Sequence, residues 1–351
     1  MLDLAKVHQN PSIREQSNLK LITVVNVNDA LCEGISLLRH TGLRMDSRNG
    51  PVIVAQSPVV TTYLKPTERV LFSPMRDCNP FFHLMEALWM LNGGQDVAWP
   101  CYFNKNFSQF SDDGKVFHGA YGYRWRKWFG YDQLNTIIAH LQKDSMSRRS
   151  VLQMWDAERD PAKADAGGKD VPCNTTAYFD CLDDRLNMTV CCRSNDIMWG
   201  AYGANAVHFS VLMEYVATSI GKPVGYYRQF SNNYHLYPAA FGMDKLALIA
   251  ADAHESNHYG AAVKPFPLMQ TPKVAWDADL KCFLSSTLEY TYNDPFFNGV
   301  AMPMYRAWHQ RKTKQGDGME YVRQIAASDW RLACEQWVER RANAPKQAIL
   351  S

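Results

Sequence analysis

Four of the nine cysteines lie in VPCNTTAYFDCLDDRLNMTVCCRSND, Val171 to Asp196. Polar and apolar residues nearly alternate there, and Asp183-Asp184 is a turn signal between two strand-like runs. A symmetric hairpin closed at that turn sets Cys173 opposite Ser194 and Asn174 opposite Arg193. One bulge would exchange the faces. On either face a thiol, a guanidinium and a hydroxyl converge. A free thiol at neutral pH is only slightly ionised, and a neighbouring arginine raises the thiolate fraction. Cys173 is therefore a candidate nucleophile; the plainer alternative is a half-buried sheet cysteine. Cys181, Cys191 and Cys192 lack comparable neighbours and read as structural.

A second candidate sits in NPFFHLMEALWMLNGG. Asn79 suits an N-cap, Pro80 the first helical position, and Gly93-Gly94 a stop. Nearly every position between is apolar, so the helix should be buried on most sides. Glu86 lies in its middle, where an unpaired carboxylate is costly, which marks either a narrow exposed stripe or an acid/base group. Arg148 and Arg149 in SRRS, and Arg48 in the turn DSRNG, are guanidinium forks that suit an anionic ligand, although each alone is commonly a solvated surface residue. HESNH, His254 to His258, matches a zinc-protease pattern, but its helix is ending and no third ligand follows at a familiar spacing. No metal is expected.

These residues need a frame. The chain has 351 residues, 46% of them hydrophobic, which is enough for a large core. A net charge of +2 gives no reason to expect nucleic acid or a membrane surface as partner. No apolar run reaches the roughly 18 residues of a membrane span, and the first twenty residues lack the apolar centre of a signal peptide. Nine cysteines without a CxxC pair suggest a reducing, cytoplasmic setting. DALCEGISLLRHTG reads as a helix stopped at Gly42, PVIVAQSPVVTTYLKP as strands broken at Pro58, and ERDPAKADAGGKD as a loop. Ser328 is read as the cap of a helix with Trp330, Ala333, Cys334, Trp337 and Val338 on one face. No linker interrupts the chain, so residues 1–351 are read as one α/β domain with a helical C-terminal extension from about 300.

Taken together, the segments from about Asp29 to Tyr237 resemble thymidylate synthase and its pyrimidine-hydroxymethylase relatives. FFHLMEALWMLNGG looks like the family's glutamate helix, HGAYGYRWR its Tyr-Gly motif, and SRRSVLQMW its paired arginines. PCNTTAYFD looks like the nucleophile motif, CCRSND the Arg-Ser-x-Asp motif, NAVHFSVL the base-reading asparagine helix, and NNYHLY the His-x-Tyr sugar motif. The resemblance implies an α/β fold, a mixed sheet packed with helices, and a homodimer formed through the sheet with shared sites. It implies that Cys173 attacks C6 of a pyrimidine nucleotide, that Glu86 organises proton transfer and that Tyr121 supports removal of the C5 proton. Arg48, Arg193 and Ser194, with Arg148 and Arg149 from the other subunit, would hold the phosphate. His235 and Tyr237 would hold the sugar, and Asn205 would read the base beside Asn174. Asp196, with Phe107 and Trp89, would face 5,10-methylenetetrahydrofolate, the implied one-carbon donor. DNA-modifying viruses are a natural home for such an enzyme.

The departures bear on the product. Asn174 stands where the synthases commonly have histidine, and GAYGA before Asn205 is one residue longer than the family loop. Phe107 and Phe110 stand where the synthases have indoles, and the chain continues through MEYVRQIAASDWRLACEQWVERR to KQAILS instead of a short apolar lid. A smaller ring frees space of roughly 30 Å³, about one water. Water addition to a C5 methylene would give 5-hydroxymethyl-dUMP; hydride transfer would give dTMP. Hydroxymethylation of dUMP is the expectation, with thymidylate synthesis or dCMP/CMP hydroxymethylation as alternatives and a non-catalytic nucleotide binder as the competing class.

Overall fold

The computed structural model describes residues 18–260, 263–285 and 290–343. The segments read for a signal peptide and for the KQAILS terminus lie largely outside them. In chain order the strands are β1 (Lys20–Val24), β2 (Leu43–Ser47), β3 (Gly50–Val54), β4 (Val59–Tyr63), β5 (Val151–Gln153), β6 (Asn174–Leu182), β7 (Arg185–Cys192), β8 (Asn195–Asp196), β9 (Val224–Ser231) and β10 (Tyr234–Leu236). The longer helices are α1 (Val27–Thr41), α2 (Pro80–Leu91), α3 (Gln133–Lys143), α4 (Asn205–Ser219), α5 (Leu246–Glu255), α6 (Lys273–Ser285), α7 (Met302–Lys312) and α8 (Ser328–Asn343).

Six strands form a mixed sheet in the order β1-β4-β9-β7-β6-β5. Its two faces follow from the two-residue side-chain period. One transverse row, Ile22, Thr61, Gln229, Val190, Ala177 and Leu152, is buried throughout. The next row, Thr23, Thr62, Arg228, Thr189, Tyr178 and Val151, faces the other way and is half-buried or exposed. On the buried side α4 packs over β7 and β9 and against α2. A smaller sheet, β2-β3-β10-β8, stands beside it.

Helix α2 forms as its caps direct. Asn79 accepts from the Phe82 N–H at 3.1 Å, Pro80 opens the helix, and Gly93 follows it with φ +74°. All twelve of its residues are buried, Glu86 included. Helix α8 lays Trp330, Ala333, Cys334, Trp337 and Val338 inward, with Trp337 edge-on to Phe81 at 5.5 Å in the first turn of α2. The Ser328 hydroxyl, expected to cap α8, instead accepts from the Lys264 N–H and donates to the Lys264 carbonyl. The segment read as a loop at 158–170 contains a short helix, Arg159–Asp165. It is anchored by buried Asp160, which takes both forks of Arg124 and the His118 ring. Among the described residues, no helix is long and apolar enough to cross a membrane.

Candidate active site

The nucleophile segment departs from the symmetric hairpin at one residue. From Leu182–Arg185 out to Thr176–Cys191 the register is the expected one; then Asn174 pairs with Cys192, and Thr175 is left over. The Thr175 carbonyl is held by the N–H groups of Met154 and Trp155 at 2.9 and 3.0 Å, which stabilises the bulge. The slip turns Asn174 onto the buried face with Cys192 and sets Cys173, not Asn174, opposite Arg193. The Arg193 N–H donates to the Cys173 carbonyl at 2.8 Å, and its guanidinium donates to the carbonyls of Pro172 (2.8 Å) and Val171 (3.0 Å). From the other side the Tyr121 hydroxyl accepts the N–H groups of Cys173 (3.2 Å) and Asn174 (3.1 Å). The adjoining Gly122 is required by packing, because a Cβ there would lie 2.1 Å from the Met90 carbonyl oxygen of α2.

The arginines act on Cys173 in the expected direction, but burial opposes them. Arg193 and Arg48 both pull the Cys173 thiol towards ionisation, but burial is the larger effect, Asp170 adds to it, and the thiol is pushed up. Burial also raises the Tyr121 phenol, which therefore stays protonated. With its oxygen accepting two backbone N–H groups, Tyr121 is suited to hold the nucleophile and donate a proton, and poorly suited to act as a base.

Glu86 of α2 faces α4. Its Oε2 lies 3.0 Å from Nε2 of His208, a residue the sequence reading left unassigned. The angle is too oblique for a hydrogen bond, and both atoms are buried without a partner. His83, one turn before Glu86, is also buried. Desolvation, then the neighbouring His208 and Arg76, lower it to about 3, so it is neutral. One turn before His208, Asn205 belongs to a relay of buried amides. Asn174 Nδ2 donates to Asn205 Oδ1 (3.2 Å), Asn205 Nδ2 to Asn195 Oδ1 (3.2 Å), and Asn195 Nδ2 to Ser231 Oγ (2.9 Å). Asn205 keeps one lone pair and one N–H for a ligand, while Asn174 Oδ1 is buried and unpaired. The longer loop before Asn205 is a widened helical turn, Ile197–Ala204, broken at Gly203.

The small sheet assembles the remaining polar groups. β10 sets His235 in register with Asp196 of β8 on one side and Val54 of β3 on the other, and Arg48 stands in the β2–β3 turn. Tyr237 packs edge-on to His235 at 5.2 Å. Asp196 Oδ1 accepts the N–H groups of Met198 and Trp199, leaving Oδ2 without a hydrogen bond among the described residues. Burial pushes this carboxyl up and the His235 ring down. Arg76, also missed in the sequence, is buried between Trp199 (4.2 Å) and Phe241 (5.6 Å) and donates to the Met198 carbonyl. Its sequence signal was a lone arginine ahead of α2.

Other candidates stand apart. Arg148 and Arg149 are exposed at the start of β5, and their guanidinium groups have no partner among the described residues. Phe107 packs against Phe82, Phe117 and Phe110 at 5.0–5.6 Å, whereas Phe110 is exposed. Trp89 is a core residue whose indole N–H is committed to Asp96. Ser194 accepts from the Cys192 thiol through its carbonyl. His254 is exposed near the end of α5, and His258, beyond it, packs on Phe72. Among the described residues, no group of three or more His, Cys, Asp or Glu side chains is arranged to hold a metal.

Comparison with known proteins accords with this arrangement. Residues 75–270 match the family model described as thymidylate synthase. A deoxyuridylate hydroxymethyltransferase of Pseudomonas phage M6 is 47% identical over 338 residues, covering 93% of this chain and 95% of that protein. A deoxyuridylate hydroxymethyltransferase of Bacillus phage SP01 is 37% identical over 53% of this chain and 50% of its own. A putative thymidylate synthase of Methanothermobacter thermautotrophicus is 29% identical over 63% of this chain and 94% of its own.

Proposed function

The chain belongs to the thymidylate synthase family, and on that footing we propose that it is a deoxyuridylate hydroxymethyltransferase, converting dUMP to 5-hydroxymethyl-dUMP. The observation that carries this reading is the 47% identity to the phage M6 enzyme across nearly the full length of both chains. In the proposed reaction the Cys173 sulfur, giving up its proton as it attacks, adds to C6 and makes C5 nucleophilic. Arg193 and Tyr121 hold the nucleophile segment through four hydrogen bonds to residues 171–174, besides the strand bond to the Cys173 carbonyl. Arg48, Arg193 and Ser194 serve the phosphate, His235 and Tyr237 the sugar, and Asn205 the O4 and N3–H of uracil.

5,10-Methylenetetrahydrofolate, when bound, supplies the one-carbon unit. The unpaired Oδ2 of Asp196 suits hydrogen-bond donors on that co-substrate, and Phe107 offers it an aromatic wall. The lone positions of Arg148 and Arg149, together with the uncovered row of the large sheet, support a homodimer in which these arginines reach the partner's phosphate site. The phage sources of the relatives support a virus-encoded enzyme at work in the host cytoplasm.

The test is product analysis by mass spectrometry with dUMP, dCMP and CMP each supplied beside methylenetetrahydrofolate. The expected result is 5-hydroxymethyl-dUMP from dUMP, without the ultraviolet signal of dihydrofolate. Stoichiometric dihydrofolate with dTMP would assign the chain to thymidylate synthesis instead.

A further inference from the structure

We propose that His208, paired with Glu86, holds the water that becomes the product's hydroxyl group and receives its proton; this deepens the hydroxymethyltransferase reading and rests on it. Eight buried side-chain atoms lack a hydrogen-bond partner among the described residues; two of them, Glu86 Oε2 and His208 Nε2, face each other at 3.0 Å, and a third, Asn174 Oδ1, belongs to a residue bonded to Asn205, one turn before His208. A buried polar atom left unpaired costs on the order of 1–3 kcal/mol, so the facing pair marks a place that a ligand or water completes.

Local geometry brings them together. His83 and Glu86 are three apart on α2, and Asn205 and His208 are three apart on α4, so each pair lies one above the other on its helix. The two helices pack face to face. Glu86 and His208 are only 6% and 4% exposed, yet their 3.0 Å approach is oblique. Each atom therefore retains bonding capacity that a shared third group can take up. Asn174 is linked from the nucleophile segment by the hydrogen bond its Nδ2 donates to Asn205 Oδ1. A bound water needs two to four polar partners, and this set provides both acceptors and an imidazole nitrogen. His83 stays neutral beside them and adds no competing charge.

The step balances without an oxidant or reductant. With the exocyclic methylene formed at C5 and Cys173 still bonded to C6, the water oxygen bonds to the methylene carbon. The C=C pair moves towards C4–O as an enolate. One water proton passes to His208 Nε2, which faces Glu86 Oε2 at 3.0 Å. Collapse of the enolate restores C5=C6 and expels the Cys173 thiolate.

The test separates this step from those before it. His208→Asn keeps a polar side chain but cannot take up the proton, and His208→Gln gives a second chance of a folded protein. Wild type and both variants are assayed for dUMP affinity, for tritium release from [5-³H]dUMP, and for products with 2-mercaptoethanol present to trap the methylene. Dihydrofolate is followed as before. We expect dUMP affinity within about threefold and tritium release within about tenfold of wild type, with hydroxymethyl product down roughly 100-fold and a 5-thioether of dUMP in its place. Wild-type product levels without added thioether in a folded variant overturn the role of His208 and leave the reaction reading intact. Tritium release and product falling together also overturn it, by placing His208 before the water step. A wild-type protein that makes dTMP overturns both.

Discussion

Cys173 illustrates how a nucleophile can be held ready without being ionised. Its backbone is fixed by Tyr121 and Arg193, while burial keeps the thiol protonated against the pull of two arginines. Covalent chemistry depends on the sulfur, whereas the polar groups that would bind nucleotide stand on other residues. Cys173→Ala should therefore abolish turnover while dUMP affinity, measured by calorimetry, stays within about threefold. Turnover within tenfold of wild type would exclude this nucleophile. The thiol, its arginine and the buried glutamate were legible because each is an unusual residue in a patterned segment. His208 was not, since a histidine on a helix buried from Asn205 to Ala217 has no local signal; only its apposition to Glu86 across two helices gives it meaning. Asn174 was legible as a neighbour but not as a member of the amide relay, because a single bulge at Thr175 decides which face it takes.

At the scale of elements, α2 and α8 are coupled. Trp337 and Trp308 enclose Phe81 at the start of the helix that carries Glu86, so the C-terminal segment buttresses a site element. The apolar face of α8 was legible from its spacing, but the target of that face was not, because packing partners far apart in sequence leave no periodic trace. Its first turn also carries a pH dependence. Asp329 is buried, accepts from the Tyr259 hydroxyl, and is raised by desolvation to about 6. A carboxyl raised in the folded state binds its proton more tightly there than in the unfolded chain. The resulting stability is fully present below the unfolded value near 3.8 and is lost as pH rises through about 6. Asp329→Asn removes that loss. Its melting temperature relative to wild type should rise between pH 4 and pH 8, by a free energy of at most about 3 kcal/mol. A difference independent of pH would show that Asp329 does not titrate in this window.

At the scale of the whole molecule, the large sheet has one face closed by α4 and another open. The open face carries Leu21, Tyr178 and Val151, exposed at 71%, 47% and 42%, along with Thr23, Thr62 and Thr189. A broad face of that composition suits a symmetric partner. Arg148 and Arg149 stand at its β5 edge with no carboxylate partner among the described residues, and Arg193 is bound to carbonyls while Arg48 stands in the β2–β3 hairpin. If a second copy covers the face and its arginines complete the site, then Arg149→Ala and Cys173→Ala lie in different halves of one active centre. Each homodimer should be inactive. After equal mixing and subunit exchange, half of the dimers are mixed, and each holds one intact site, so activity should recover to at most about a quarter of wild type. The exchange itself is followed by mass spectrometry of differently tagged subunits, so that recovery is scored only once mixed dimers have formed. Mixed dimers without recovery would place Arg149 outside the partner's site, and an active protein that sediments only as a monomer would remove the shared site altogether.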